Sequence, residues 1–171
     1  MTGQLDPCAL SRADFVATFG GIFEHSPWIA EAAFDAGLPA EAKDAAGLHE
    51  ALCAVLRSAP RDRQKALIDT HPDLAGRLAL AGRLTAESNK EQASAGLDAL
   101  TEDELARFTG LNDAYRARFG FPFITAVKGR GKAEILAAFE RRLDNDPEAE
   151  FAEALAQIER IALLRLQDLL P

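Results

Sequence analysis

Only one stretch of this chain has the composition of a β-strand. It is the run from residue 121 to 127, FPFITAV, which is rich in aromatic and β-branched residues. A single strand has no partner with which to build a stable sheet, since three or more strands or a covering helix are needed. We therefore predict that this run is an extended segment packed on helices, and that the fold is all-α.

Helical periodicity and end signals divide the rest of the chain into about eight or nine helices. With 171 residues the chain is long enough for one domain with its own core, and we expect a single compact domain over residues 1–171. Capping residues predict where helices begin, and glycine or proline predicts where they end. The residues expected to begin helices are Ser11, Ser26 before Pro27, Thr85 and Thr101. Gly120 is expected to end the helix that precedes the extended segment. Further helices are expected over 46–58, 61–69, 132–143 and 148–169.

Composition excludes several classes of function. The net charge of −8 argues against a nucleic-acid partner, because phosphate binding needs clustered lysine and arginine. No apolar run approaches the length of a membrane span, and the N-terminus has no secretory signal pattern. Cys8 and Cys53 are far apart and lack a CxxC spacing, which favours a reducing compartment. We expect a cytoplasmic protein.

The most informative stretch contains one of the three histidines, in a His71-Pro72-Asp73-Leu74 turn. A residue before proline favours extended backbone, and proline suits the first position of a helix. We therefore place His71 at, or just before, the N-terminus of a short helix, whose positive end attracts anions and disfavours an imidazolium. A neutral histidine in that place is suited to proton transfer. The alternative is a surface histidine that only caps the helix.

Ser88, Glu91 and Gln92 form a second polar group. They stand at positions i, i+3 and i+4 of a helix that Thr85 is expected to cap, so they share one face. Glu91 and His71, if their elements meet, form a minimal acid–base pair. The neighbouring Lys90 favours the alternative, an ordinary solvated helix face.

Arg165 interrupts the apolar stripe of the last predicted helix. An arginine on a buried face needs a partner or a bound anion, and a guanidinium can bind a carboxylate through two parallel hydrogen bonds. A structural ion pair, or a side chain that reaches solvent near the helix end, is the alternative. The stripe consists of Phe151, Leu155, Ile158, Ala162 and Leu169.

No other pattern predicts a site. Three scattered histidines do not make a metal site, and His49, Glu50 and Cys53 lack the HExxH spacing. There is no P-loop, no GxSxG and no GxGxxG followed by a helix. Cys53 lies on an apolar helix and is expected in the core rather than as a nucleophile.

The order of these pieces resembles the OHCU decarboxylase family, in which OHCU is 2-oxo-4-hydroxy-4-carboxy-5-ureidoimidazoline. The combination of HPDL, SxxEQ and FGFPFI is specific, whereas HPDL alone is weak. The resemblance covers nearly the whole chain, in the family's order and with similar spacing. The matching stretches are FVATFGGIFEHSPWIAEAAF, LIDTHPDLAGRLA, LTAESNKEQASAGL, LNDAYRARFGFPFITAVKGR and IERIALLRLQDLL.

The resemblance implies an all-helical, cofactor-free and metal-free enzyme that converts OHCU into (S)-allantoin and CO2, the last step of urate breakdown. By motif, His71 and Glu91 take the places of the family's catalytic histidine and glutamate. The positions that bind the substrate or line its pocket fall on Pro72, Ser88, Gln92, Phe121, Phe123, Ile124 and Arg165.

The resemblance also implies partners. They are the substrate OHCU, a second copy of the chain in a homodimer, and the pathway neighbours urate oxidase and hydroxyisourate hydrolase. The end of the chain, LQDLLP, lacks an SKL-type peroxisomal tail, which suits a cytoplasmic member. Two alternatives stay open: a non-catalytic helical ligand-binding domain, and a paralogous lyase that acts on another ureido or imidazoline acid.

Overall fold

The computed structural model describes residues 4–75 and 84–171, and within those ranges the regular secondary structure is helical, without a strand. The all-α prediction is confirmed. Within the described ranges, two short 3-10 helices, Pro7–Ala9 and Ala40–Lys43, accompany eight α-helices. None of these helices has the length and the apolar character that crossing a bilayer requires. The α-helices are α1 (Arg12–Phe19), α2 (Trp28–Asp35), α3 (Ala45–Ser58), α4 (Arg61–Asp69), α5 (Ala86–Ser94), α6 (Glu102–Phe119), α7 (Lys132–Leu143) and α8 (Pro147–Leu169).

Most of the predicted helix ends are confirmed, because they depend on local chemistry. Ser11 caps α1 by accepting a hydrogen bond from the backbone N–H of Asp14. Thr101 and Glu104 form a reciprocal capping box at the start of α6. At the other end of α6, Gly120 has a φ of +76°, a left-handed conformation that glycine adopts without steric cost.

The predicted cap of α2 is wrong. The helix begins at Trp28, with Pro27 as the residue before it and no side-chain cap. The Ser26 hydroxyl instead donates to the carbonyl oxygen of Glu24, at 2.8 Å. Serine side chains compete in this way for nearby backbone groups, so a serine before proline does not by itself specify a cap.

The predicted apolar stripe of α8 is wrong at its end. Leu169 is 44% exposed, whereas Leu166 and Leu170 are buried. Because the helix ends at Leu169, the regular spacing no longer decides which side chain is covered. Arg165 itself is buried, 7% exposed, as the pattern predicted.

The chain forms two compact units, and the first comprises Met1–Leu67 and Ile158–Pro171. Its core includes the rings of Phe15 and Phe19, 5.0 Å apart between centroids. In the same unit Arg57 of α3 binds Glu159 of α8 through two hydrogen bonds of 2.8 and 3.0 Å. The single domain over residues 1–171 stays a prediction.

The second unit comprises Ile68–Gln157 and is built around an aromatic cluster. The ring of Tyr115 on α6 lies 5.3 Å from Phe123 and 5.9 Å from Phe121, between centroids. Phe123 stacks on Phe139 of α7 at 3.8 Å. The segment 121–127 is buried throughout and has no strand pairing, so it is packed in the interior outside any helix or strand, as the sequence predicted.

Candidate active site

His71 lies in a buried turn that follows α4. Its side chain is 7% exposed, and its backbone N–H donates to the carbonyl oxygen of Ile68 at 3.1 Å. Pro72 is not helical, and the chain turns at Leu74 and Ala75 instead, so the prediction that Pro72 begins a helix is wrong. The short helix predicted to follow falls on residues 76–83, outside the described residues.

The second motif occupies α5. Thr85 caps the helix by accepting from the backbone N–H of Ser88, at 3.2 Å, as the sequence predicted. Ser88 and Gln92 are buried, each 6% exposed, and Glu91 is half-buried. The shared face of these three residues is therefore turned towards the interior, and the alternative of an ordinary solvated face is wrong for Ser88 and Gln92.

A hydrogen bond between described residues joins the two motifs. The backbone N–H of Ala75 donates to Oε1 of Gln92, at 3.0 Å. This contact fixes the orientation of the amide, because the oxygen must face the donor. The Gln92 Nε2 makes no hydrogen bond within the described residues, and it is left as a donor for another group.

Two side chains of α6 also hold the His71 turn. Asn112 donates from Nδ2 to the carbonyl oxygen of Leu74, at 2.9 Å. One helical turn further on, Arg116 donates from Nε to Oδ1 of Asp73, at 2.9 Å. The turn is thus bound to both α5 and α6.

The predicted pocket segment is held by a buried ion pair. Arg142 of α7 and Glu150 of α8 are 4% and 0% exposed, and their side chains are 2.9 Å apart at the nearest nitrogen and oxygen. The Arg142 Nη1 also donates to the carbonyl oxygen of Ile124 at 2.6 Å, and its guanidinium carbon lies 4.4 Å from the centre of the Phe123 ring. These contacts fix both the backbone and a ring of the segment that carries Phe121, Phe123 and Ile124.

The ion pair keeps Glu150 charged inside the protein. Burial raises the pKa of its carboxyl, but hydrogen bonds from Arg142, Tyr115 and Asn145, together with the Arg142 charge, outweigh burial and lower that pKa below its usual value. The Tyr115 hydroxyl donates to the carboxylate. Burial and this bond raise the pKa of Tyr115 far above its usual value, so the phenol stays protonated.

Arg165 belongs to the first unit, where it has a local anionic partner. Its Nη1 donates to the carbonyl oxygen of Ile22 at 3.3 Å and lies 3.6 Å from Oε1 of Glu24, which is 2% exposed. His25, which directly follows Glu24, has a φ of +45°. The structural ion pair, one of the alternatives for Arg165, is therefore present, and it restrains the guanidinium.

Other features of the described chain do not resemble a reaction centre. An open groove of about 870 Å³ in the first unit is lined mainly by small apolar residues, and also by Trp28 and Arg63. None of the predicted site residues lines it.

Within the described ranges no group of three His, Cys, Asp or Glu side chains is placed to hold a metal ion. Cys53 is buried, and burial raises the pKa of its thiol to about 12, so it is a core residue, as predicted.

Sequence reasoning missed the residues that support the motifs. Arg142 continues the buried stripe of α7 after Ile135 and Phe139, so, like Arg165, it can be recognised in the sequence as a charged residue on an apolar helix face. Asn112 stands four residues after the buried Phe108, which marks it as a polar residue on an apolar face. Glu150 had no such signal, because its partner is visible only in three dimensions.

A protein-family model described as OHCU decarboxylase matches residues 8–167 of this chain. The chain belongs to the OHCU decarboxylase family. The enzyme named 2-oxo-4-hydroxy-4-carboxy-5-ureidoimidazoline decarboxylase from Haloferax volcanii is 43% identical over 159 residues, which are 93% of this chain and 90% of the relative. The mouse protein of the same name is 41% identical over 162 residues, or 95% and 89% of the two chains.

Solved structures agree with the family assignment. A crystal structure of (S)-allantoin synthase is similar over 96% of this chain, with a TM-score of 0.77 and 34% identity. This chain spans 52% of the length of that one. A crystal structure of OHCU decarboxylase in the presence of (S)-allantoin covers 94% of this chain with a TM-score of 0.66. At 19% identity that likeness shows the fold.

Proposed function

We propose that this protein catalyses the decarboxylation of OHCU to (S)-allantoin and CO2 without a cofactor. The family match over residues 8–167 and the relatives that carry this activity in their names support the proposal. Within the molecule, one observation carries it: the hydrogen bond from Ala75 to Gln92 ties the His71 turn to the helix of Ser88 and Glu91.

The reaction needs no bound electron sink. When the bond between the ring carbon and its carboxylate breaks, CO2 leaves and the electron pair moves into the adjacent carbonyl and imine system. The resulting enolate-like intermediate then takes one proton on carbon, from one face. The protein has to orient the carboxylate, stabilise the developing negative charge and deliver that proton.

His71 and Glu91 are the proposed acid–base residues. His71 moves the proton of the substrate hydroxyl or delivers a proton to carbon, and Glu91 orients it. A buried imidazole is suited to this step because its two nitrogens can accept and donate at neutral pH.

Gln92 and Ser88 are the proposed hydrogen-bonding residues. Because Oε1 of Gln92 accepts from Ala75, the amide would offer its NH2 group to the substrate. A donor placed there stabilises the negative oxygen of the intermediate. The Ser88 hydroxyl, on the same face of α5, would bind the ring or the ureido group.

Arg165 is the proposed carboxylate-binding residue, and the apolar residues Pro72, Phe121, Phe123 and Ile124 are the proposed pocket lining. A guanidinium matches a carboxylate in shape and charge. Glu24 beside it would hold the guanidinium in one orientation before the substrate arrives.

The first experiment is a coupled assay followed by circular dichroism. Urate oxidase and hydroxyisourate hydrolase generate OHCU in the cuvette, and the protein is then added. We expect a faster signal that settles at (S)-allantoin, whereas OHCU alone decays slowly to the racemate. Unchanged rate and handedness would contradict the proposed function.

The second experiment tests the acid–base residues. His71→Ala and Glu91→Gln should each lower kcat by about 10²–10⁴-fold, the usual contribution of a general acid or base. Glu87→Gln is the matched control, because Glu87 is exposed on the same helix and its loss should leave kcat unchanged. Near-full activity of both site variants, with the fold intact, would show that the roles are wrong.

The proposal extends to the surroundings of the enzyme. It places the protein in the cytoplasm, as a homodimer, next in the pathway after urate oxidase and hydroxyisourate hydrolase. Light scattering on the purified protein tests the dimer, for which we expect twice the mass of the 171-residue chain.

A further inference from the structure

The turn that carries His71 is bound by side chains along most of its length. Asp73 binds Arg116, the carbonyl oxygen of Leu74 binds Asn112, and the N–H of Ala75 binds Gln92. Three consecutive residues after Pro72 therefore each have a partner on α5 or α6. These contacts restrain the turn from two helices.

That conformation is strained. Ala75 has a φ of +53°, in the left-handed region where a residue with a Cβ atom is disfavoured. Strained backbone persists only where its surroundings fix it, and it is concentrated at functional sites. The three side-chain contacts are the surroundings that fix it here.

Among these partners, Asn112 has an amide that packing alone does not explain. The residue is 4% exposed, and its Nδ2 is committed to Leu74. Its Oδ1 is buried and has no hydrogen-bond partner in the described part of the chain. A buried oxygen without a donor is unfavourable, so for core packing beside Phe108 an apolar side chain of similar volume would serve at least as well. What the amide adds is the hydrogen bond to the turn.

We propose that Asn112 is a positioning residue for His71. By holding the carbonyl group of Leu74 it keeps the turn in its strained form and the imidazole in the place where proton transfer requires it. Arg116 makes a contact with the same turn, but its side chain is 46% exposed and that of Asp73 27% exposed, so solvent weakens their pair. The hydrogen bond from Asn112 to Leu74 is buried, so solvent does not weaken it in the same way. This inference rests on the proposed function, because it assigns Asn112 a role through His71.

The test is Asn112→Leu, which keeps the number and branching of the side-chain heavy atoms, in a somewhat larger side chain, and removes both the donor and the unpaired oxygen. We expect kcat for OHCU to fall at least 10-fold, KM to change less than 3-fold, and the thermal midpoint to stay within a few degrees. A residue with a merely structural role would lower activity only in proportion to the loss of folded protein. Asn112→Ala, which fills less space and keeps neither group, is measured in parallel as the variant that cannot be overpacked.

Gln64→Leu is the matched control. Gln64 of α4 donates from its amide to the carbonyl oxygen of Leu56 at 3.0 Å, so its substitution removes the same kind of bond from the first unit. We expect kcat of this variant to stay within 2-fold of the unmodified enzyme.

The outcomes separate the two proposals. An unmodified protein that does not accelerate OHCU decay contradicts the proposed function itself. An active protein whose folded Asn112→Leu and Asn112→Ala variants lose less than 10-fold in kcat contradicts the positioning role alone. In a His71→Ala background, where the imidazole no longer needs to be placed, Asn112→Leu should lower the residual rate by less than 2-fold; a further 10-fold loss would also overturn it.

Discussion

Glu150→Gln should be among the most destabilising single-atom changes that this protein can undergo. The substitution keeps the shape of the side chain and removes its charge, while Arg142 stays buried at 4% exposure. Its guanidinium makes three hydrogen bonds to the Glu150 carboxylate, of 2.9 to 3.2 Å. Removing one partner of a buried ion pair leaves an uncompensated charge, which costs about 3–5 kcal/mol.

The expected loss can be measured by thermal and urea unfolding. For a chain of this size each kcal/mol lowers the midpoint by about 2–4 °C, so Glu150→Gln should lower it by roughly 6–20 °C. The control is Asp35→Asn, which removes the partner of Arg12 in an exposed pair with side chains 51% and 54% accessible. An exposed pair contributes about 0–1 kcal/mol, so the control should lose about 4 °C or less.

The same pair predicts a dependence on pH. The pKa of Glu150 is lower in the folded protein than in the unfolded chain, so its contribution to stability is complete above the unfolded value of about 4.3. It is lost as the pH falls through the lower folded value. Unfolding free energy should therefore fall on acidification below about pH 4.3, and less steeply in Glu150→Gln. Equal midpoints for Glu150→Gln and Asp35→Asn at neutral pH would refute this account.

Three further predictions concern single positions. A Cβ atom on Gly47 would lie 1.7 Å from a backbone carbonyl oxygen of the preceding 3-10 helix, so Gly47→Ala should lower the free energy of unfolding by roughly 1–3 kcal/mol. A Cβ atom on Gly110 would meet nothing within 4 Å, so Gly110→Ala, at an exposed helix position, should raise the free energy of unfolding by about 0.5–1 kcal/mol. Urea unfolding measures both changes. A thiol reagent at pH 8 should modify only the exposed Cys8 in the folded protein, and both cysteines in denaturant. The reason is that Cys53 is buried and its thiol pKa is raised to about 12. Rapid modification of both cysteines in the folded protein would contradict this. Gln92→Glu keeps the acceptor for the His71 turn but replaces the NH2 donor, so kcat should fall about 10²-fold in the coupled assay; an unchanged kcat would exclude a donor role.

The helices were predictable because their ends depend on interactions between residues that are close together in the sequence. The capping box of Thr101 and Glu104 and the closing Gly120 each involve residues that are neighbours along the chain. The helix over 132–143 was predicted with the bounds that the structure has. The failure at Ser26 has the same origin, since a serine has several local partners and the sequence does not say which one it takes.

The supports of the candidate site were not predictable in the same way. Arg142 and Glu150 belong to different helices, and Asn112 is 38 positions away from the Leu74 carbonyl that it binds. Such pairs depend on how helices pack, and periodicity specifies only which face is buried. A polar residue on a buried helix face, such as Arg165, indicates that a partner exists, but the sequence does not identify that partner.

One turn of α6 contacts both the His71 turn and the aromatic segment 121–127. Asn112 and Arg116, at i and i+4, bind the His71 turn, while Tyr115, between them in sequence, packs its ring against Phe121 and Phe123. These spacings place the three side chains on neighbouring parts of the helix surface. The helix is fixed at both ends by its own sequence, with a capping box before it and a left-handed glycine after it. A displacement of the aromatic segment against the His71 turn would therefore require α6 to bend or to lose one set of contacts. Through these contacts, side chains of α6 outside the proposed acid–base pair restrain the His71 turn and the aromatic segment together.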